Sequence, residues 1–172
     1  MKNLLLIGMM VLVFFCAVPH LRAQDEVNAT ATAEVIEALT TREMTQLNFG
    51  RFSPETEGGK IILTPDGVRT AVGTVNLAGG THNAASFYIT GQYEATFSIT
   101  LPIEPAVLTN PKTNKTILVS EWKSLPAPGM SAGKLEGGGM IVRIGASLTV
   151  GDMTANPVGI YAGSYSVTFT YD

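Results

Sequence analysis

The last fourteen residues, 159–172, constrain the fold more than any other segment: they read Gly-Ile-Tyr-Ala-Gly-Ser-Tyr-Ser-Val-Thr-Phe-Thr-Tyr-Asp. Tyr161, Tyr165, Val167, Phe169 and Tyr171 share one parity with Gly159 and Gly163, whereas Ser164, Ser166, Thr168 and Thr170 take the other. Successive side chains of a strand point to opposite faces, so the pattern predicts a closing strand with one buried and one wet face.

The same period of two runs through the chain, and no long segment holds an apolar stripe at helical spacing. Val27, Ala29, Ala31, Ala33 and Val35 alternate with polar residues and predict a first strand; Leu47 and Phe49 predict a short second one closed by Gly50. Gly58-Gly59, Pro65-Asp66-Gly67 and Gly79-Gly80 read as turns, and the apolar parity on either side of Gly73 predicts a β-bulge there. Phe87 and Ile89, then Phe97, Ile99 and Leu101, predict a central hairpin across Gly91. Residues 102–139, interrupted by five prolines, predict an irregular excursion with one strand at 117–122. Met140 to Val150 alternates again. About nine short strands with turns between them point to an all-β, immunoglobulin-like Greek-key sandwich. Its expected core is Phe87, Ile89, Phe97, Ile99, Val142, Ile144, Leu148, Tyr165, Val167 and Phe169.

The N-terminus has the layout of an export signal over residues 1–23: Lys2, an apolar run from Leu4 to Val18, Pro19, and the small Ala23. A single domain over residues 24–172 is expected to follow, in the periplasm, on the outer surface or outside the cell, with no membrane span once the signal is removed. That part holds fourteen acids and nine bases, a net charge of −5, which argues against nucleic acid as a partner. Cys16 lies within the signal, so the fold rests on packing and strand pairing, and thiol chemistry is excluded from the domain.

Signals of catalysis are absent. His82 is the only histidine after the signal and sits in a polar turn, no Asp-x-Asp-x-Asp spacing suggests a calcium loop, and Gly137-Gly138-Gly139 runs into a strand instead of a phosphate-cradling helix. No catalytic, cofactor-binding or metal residue is therefore assigned, no cofactor is expected, and the chain reads as a non-enzyme. Trp122, the only tryptophan, either plugs the core or is an exposed aromatic that stacks on a sugar or a partner protein.

Several segments together resemble a family of exported bacterial proteins known as domain of unknown function 4402. They are Ala-Thr-Ala-Thr-Ala at 29–33, Leu-Asn-Phe-Gly at 47–50, Ala-Ser-Phe-Tyr-Ile-Thr-Gly at 85–91, Ile-Thr-Leu-Pro at 99–102, Leu-Thr-Val-Gly at 148–151, and Gly-Ile-Tyr-Ala-Gly-Ser-Tyr at 159–165 leading to Tyr171. The family is similar in pattern to fimbrial and spore-coat-type pilin subunits. The resemblance implies an immunoglobulin-like sandwich, no enzymatic residues, and a structural subunit of a pilus-like surface assembly that associates with itself or other surface subunits, with a periplasmic chaperone as a further partner. In such assemblies an N-terminal strand of one subunit completes the next. Val27, Ala29, Ala31, Ala33 and Val35 would be the assembly strand and residues 159–171 the groove strand; alternatively residues 27–35 are strand one of a self-contained sandwich. The competing function is a monomeric surface module that binds glycan or protein.

Overall fold

The computed structural model describes residues 26–172, so the export signal expected at 1–23 lies outside the described residues. The chain divides between Val35 and Ile36. Residues 26–35 form no strand, and Val27 and Val35 are 79% and 96% exposed. The first strand expected at 27–35 is thus not formed: alanine is a poor strand former, and this slender apolar face is not buried.

From Ile36 onward the chain is all β, with ten strands in two antiparallel sheets. In order these are β1 (Thr40–Thr45), β2 (Phe52–Leu63), β3 (Arg69–Leu77), β4 (Ala85–Thr90), β5 (Thr96–Thr100), β6 (Ala106–Thr109), β7 (Thr116–Leu125), β8 (Gly129–Lys134), β9 (Gly139–Val150) and β10 (Thr168–Tyr171). The larger sheet is organised by β9. Along one edge β9 pairs first with β4, through Gly139 to Ile144, and then with β2, through Ala146 to Val150; its other edge pairs with β7. Two strands lie end to end on that edge because Gly145 separates them: a Cβ there would collide with the backbone of Leu63, Thr64 and Pro65 as β2 turns away. β1, β3 and β6 extend this sheet, and the smaller sheet runs β10-β5-β8.

Two apolar clusters follow from this layout. The first is built from one sheet alone, by Ile61, Leu63, Val75, Ile117, Val119, Ala146, Leu148 and Val150 with Phe49, so the sheet must curve around it. The second lies between the sheets, where Phe97 and Ile99 of β5 meet Ala85, Ile89, Val142 and Ile144. Of the ten expected core residues, Ile89, Phe97, Ile99, Val142, Ile144 and Leu148 are buried, and Phe87, Tyr165, Val167 and Phe169 pack half-buried on the second cluster.

Several expectations need correction. No hairpin joins β4 to β5; residues 91–95 carry the chain from one sheet to the other, and the apolar faces of the two strands meet across the core instead of lying side by side. Gly58-Gly59 is strand, not turn, and the residues 47–49 make only an isolated bridge, Asn48 to Asn83. The apolar parity does not switch at Gly73: Arg69, Ala71 and Val75 face inward throughout, Val68 and Val72 are exposed, and the irregularity falls on the opposite strand between Pro54 and Gly58. Residues 102–139 are more regular than expected, holding β6, β7 and β8, because the prolines sit between these strands and not within them.

Candidate functional site

The closing segment is where the two clusters meet the surface. Its alternation is as expected: Tyr161, Tyr165, Val167, Phe169 and Tyr171 are half-buried, and Ser164, Ser166, Thr168 and Thr170 are exposed. The strand itself is shorter than expected. Only Thr168–Tyr171 pairs, with β5, while Ala162 forms an isolated bridge to Thr109 at the end of β6. Gly163 is exposed and lies so close to Val107 that a Cβ would strike its carbonyl; Gly159 similarly abuts the Asn110 side chain. Between the bridge and β10, the backbone of residues 163–167 makes no backbone hydrogen bond to any of the described residues, although its side chains keep strand alternation. β10 pairs on one side only.

Tyr171 fixes the end of this segment. Its hydroxyl accepts a hydrogen bond from the Gln92 amide at 2.7 Å and donates to the Glu37 carbonyl at 2.8 Å, tying β10 to the first turn after β4 and to the start of the domain. Gly91 leaves the space that the hydroxyl occupies. Phe169 packs against Phe87 at 5.9 Å and Phe97 at 6.3 Å between ring centroids.

Trp122 is not the exposed aromatic that was one of its two readings. It is half-buried, packs on both clusters and stacks on Tyr165. A bulge puts it there. Ser120 opposes Ser147 and Lys123 opposes Gly145, so Glu121 and Trp122 share one partner position. A strict period of two from Ile117 and Val119 would aim Glu121 inward; the bulge, with Glu121 at φ 54°, turns that carboxylate to solvent and gives the inward place to Trp122. The Glu121 carboxylate accepts a hydrogen bond from Lys60, which, with a smaller contribution from the neighbouring Ser147 hydroxyl, lowers its pKa.

The indole Nε1 and the Tyr165 hydroxyl are both buried without a hydrogen-bond partner. Burial, with a smaller contribution from Glu43, pushes the Tyr165 pKa up to about 12. Sequence reasoning missed two buried asparagines. Asn156 accepts from the Gly151 amide at 2.6 Å and donates to the Thr116 carbonyl at 2.9 Å, shaping the 151–159 connection, while Asn110 caps the β6–β7 turn. A single asparagine in a polar loop gives no periodic signal.

Among the described residues no group of three or more His, Cys, Asp or Glu could hold a metal ion, and no helix is long and apolar enough to cross a membrane. A depression of about 530 Å³ beside β8 is lined by Ser131, Gly133, Lys134 and Glu136 among others, with Lys134 engaged by Glu94, whose hydrogen bond raises the lysine pKa.

Residues 39–171 match the family described as domain of unknown function (DUF4402). The chain belongs to that family. No curated protein and no solved structure matches it. The match spans β1 to β10 and excludes the alternating residues 27–35, so the family is defined by the sandwich itself.

Proposed function

We propose that this DUF4402 chain is an exported, non-catalytic structural subunit of a cell-surface assembly, and that its copies are linked by strand addition. The observation that carries the reading is a pair of incomplete elements. Residues 27–35 alternate apolar and polar yet belong to no sheet, and residues 163–167 run extended with unused backbone groups beside a half-covered cluster. Strand addition satisfies both: backbone hydrogen bonds supply affinity, and alternate side chains set the register. An added strand that presents Val27, Ala29, Ala31, Ala33 and Val35 inward would extend the apolar surface on which Tyr165, Val167 and Phe169 are only half-buried. Unpaired strand edges invite such pairing unless they are protected.

The test compares the solution mass of a chain starting at residue 24 with that of a chain starting at residue 36. Concentration-dependent oligomers are expected from the first and folded monomers from the second. A peptide of residues 24–36 is expected to bind the shorter chain and raise its melting temperature. Strict monomers from both, with no effect of the peptide, would overturn the proposal.

A further inference from the structure

The outward face of β1, β4 and β9 carries a second feature that does not depend on assembly. Register places Arg42, Tyr88 and Ile141 in one row across these strands, and Thr45, Ser86, Arg143 and Leu125 in the next, with β7 supplying Leu125. Tyr88, Ile141 and Leu125 are 41%, 53% and 47% exposed. Tyr88 does not stand off the sheet. Its Cα pairs with Ile141, but the phenol end of its ring reaches the space above Gly139, two residues along β9, where a Cβ would collide with it. The ring therefore lies along the sheet with its outer side open. Beside it, Leu125, Pro126, Ile141 and Arg143 border a shallow depression of about 330 Å³.

The charge on this face opposes that of the chain. Residues 24–172 are net acidic, yet neither row contains an acid, and among the described residues neither Arg42 nor Arg143 is in an ion pair. One strand, β4, lies between those that carry the arginines, so they stand two strand spacings, about 10 Å, apart across the sheet. A recumbent aromatic ring on β4, with unpaired arginines on the strands to either side, matches a ligand that has flat apolar faces and repeating carboxylates. β4, which carries Tyr88, is paired on both edges, with β1 and β9, so a peptide cannot add beside Tyr88 through its backbone. Recognition around Tyr88 is by side chains alone, which favours a sugar chain over an extended acidic peptide.

We propose that this face binds an acidic polysaccharide, with Tyr88 stacking on a sugar ring and Arg42 and Arg143 pairing with carboxylates. The test titrates the purified protein with polygalacturonate, with neutral dextran and with polyglutamate. Binding to polygalacturonate that weakens with salt is expected, with little binding to dextran. Tyr88→Ala and Arg143→Gln are each expected to weaken it about tenfold at an unchanged melting temperature, and Tyr88→Trp is expected to retain it. Absence of polygalacturonate binding, binding indifferent to Tyr88→Ala, or equal binding of dextran would overturn the proposal. Equally tight, Tyr88-dependent binding of polyglutamate would also overturn it, and would assign the face to an acidic protein segment.

Discussion

Trp122 and Tyr165 stack with ring centroids 4.6 Å apart and planes inclined by 30°, and neither the indole nitrogen nor the phenol oxygen has a hydrogen-bond partner. The pair joins β7 to the closing segment at the point where both clusters meet, so it is held by packing at the expense of two unsatisfied polar atoms. Such atoms cost about 1–3 kcal/mol when buried unpaired. Tyr165→Phe keeps the ring and deletes one of them; stability is expected to stay level or rise by up to about 1 kcal/mol in denaturant unfolding. A loss above about 1 kcal/mol would show that the hydroxyl is bonded.

The same hydroxyl makes the fold sensitive to alkali. Its folded pKa of about 12 lies above the ordinary value of 10.0, so the folded state favours the protonated phenol. The resulting stability is fully present below the ordinary pKa and is lost as pH rises toward the folded value. Unfolding measured across that window is expected to show a decline that Tyr165→Phe reduces. An identical decline in the variant would assign the alkaline sensitivity elsewhere.

Gly145 marks where β2 and β4 share one edge of β9. A Cβ at this position meets backbone atoms on the neighbouring strand, which cannot rotate away as a flexible side chain could. Gly145→Ala is expected to cost about 3 kcal/mol or more. A cost below about 1 kcal/mol would mean that the two strands do not abut there.

The β7 bulge yields a prediction in the opposite direction. Deleting Glu121 leaves Trp122 opposite Ala146 and Lys123 opposite Gly145, which restores a regular ladder and keeps the indole inward. The deletion also removes a non-glycine residue at positive φ, a conformation that costs on the order of 1–3 kcal/mol. The variant is expected to fold with stability within about 1 kcal/mol of the parent and with unchanged tryptophan fluorescence. Unfolding or a strongly red-shifted emission would show that the bulge is needed to seat Trp122.

Depth in the second cluster separates two phenylalanines. Phe97 is fully buried and Phe169 half-buried, so Phe97→Ala is expected to cost about 3–5 kcal/mol and Phe169→Ala less. The reverse order in thermal or denaturant unfolding would misplace β10.

Where a strand carries an apolar face, its inward residues could be read from alternation: Met140 to Val150 and Tyr161 to Tyr171 have the parity read from the sequence. β1 could not. Its inward positions, opposite Phe87 and Ile89, are Glu43 and Thr41, so a polar edge strand left no period to detect. Strand partners were also illegible, because Phe87 with Ile89 and Phe97 with Ile99 satisfy alternation equally well as a hairpin or as facing layers. Residues 27–35 show the converse error, since alternation signals strand capacity and not a partner within the chain. The closing segment was identified, but its unpaired stretch at 163–167 arises from the bridge of Ala162 to Thr109, a contact between segments 53 residues apart. Tyr88 over Gly139 was hidden for the same reason: the glycine read only as the end of a triple-glycine run leading into a strand, and only the register of β4 on β9 brings the two together.

Assembly by strand addition is tested most directly by cysteine pairing between copies, because the chain has no cysteine beyond Cys16. One preparation starting at residue 24 carries Thr30→Cys and the other Ser166→Cys, so that both thiols lie on the outward face of the joined strands; the two are mixed under mild oxidation and the products identified by mass. Strand addition predicts disulfide-linked heterodimers that form faster than either homodimer and are suppressed by excess peptide of residues 24–36. Heterodimers no faster than the homodimers, or insensitive to the peptide, would contradict it.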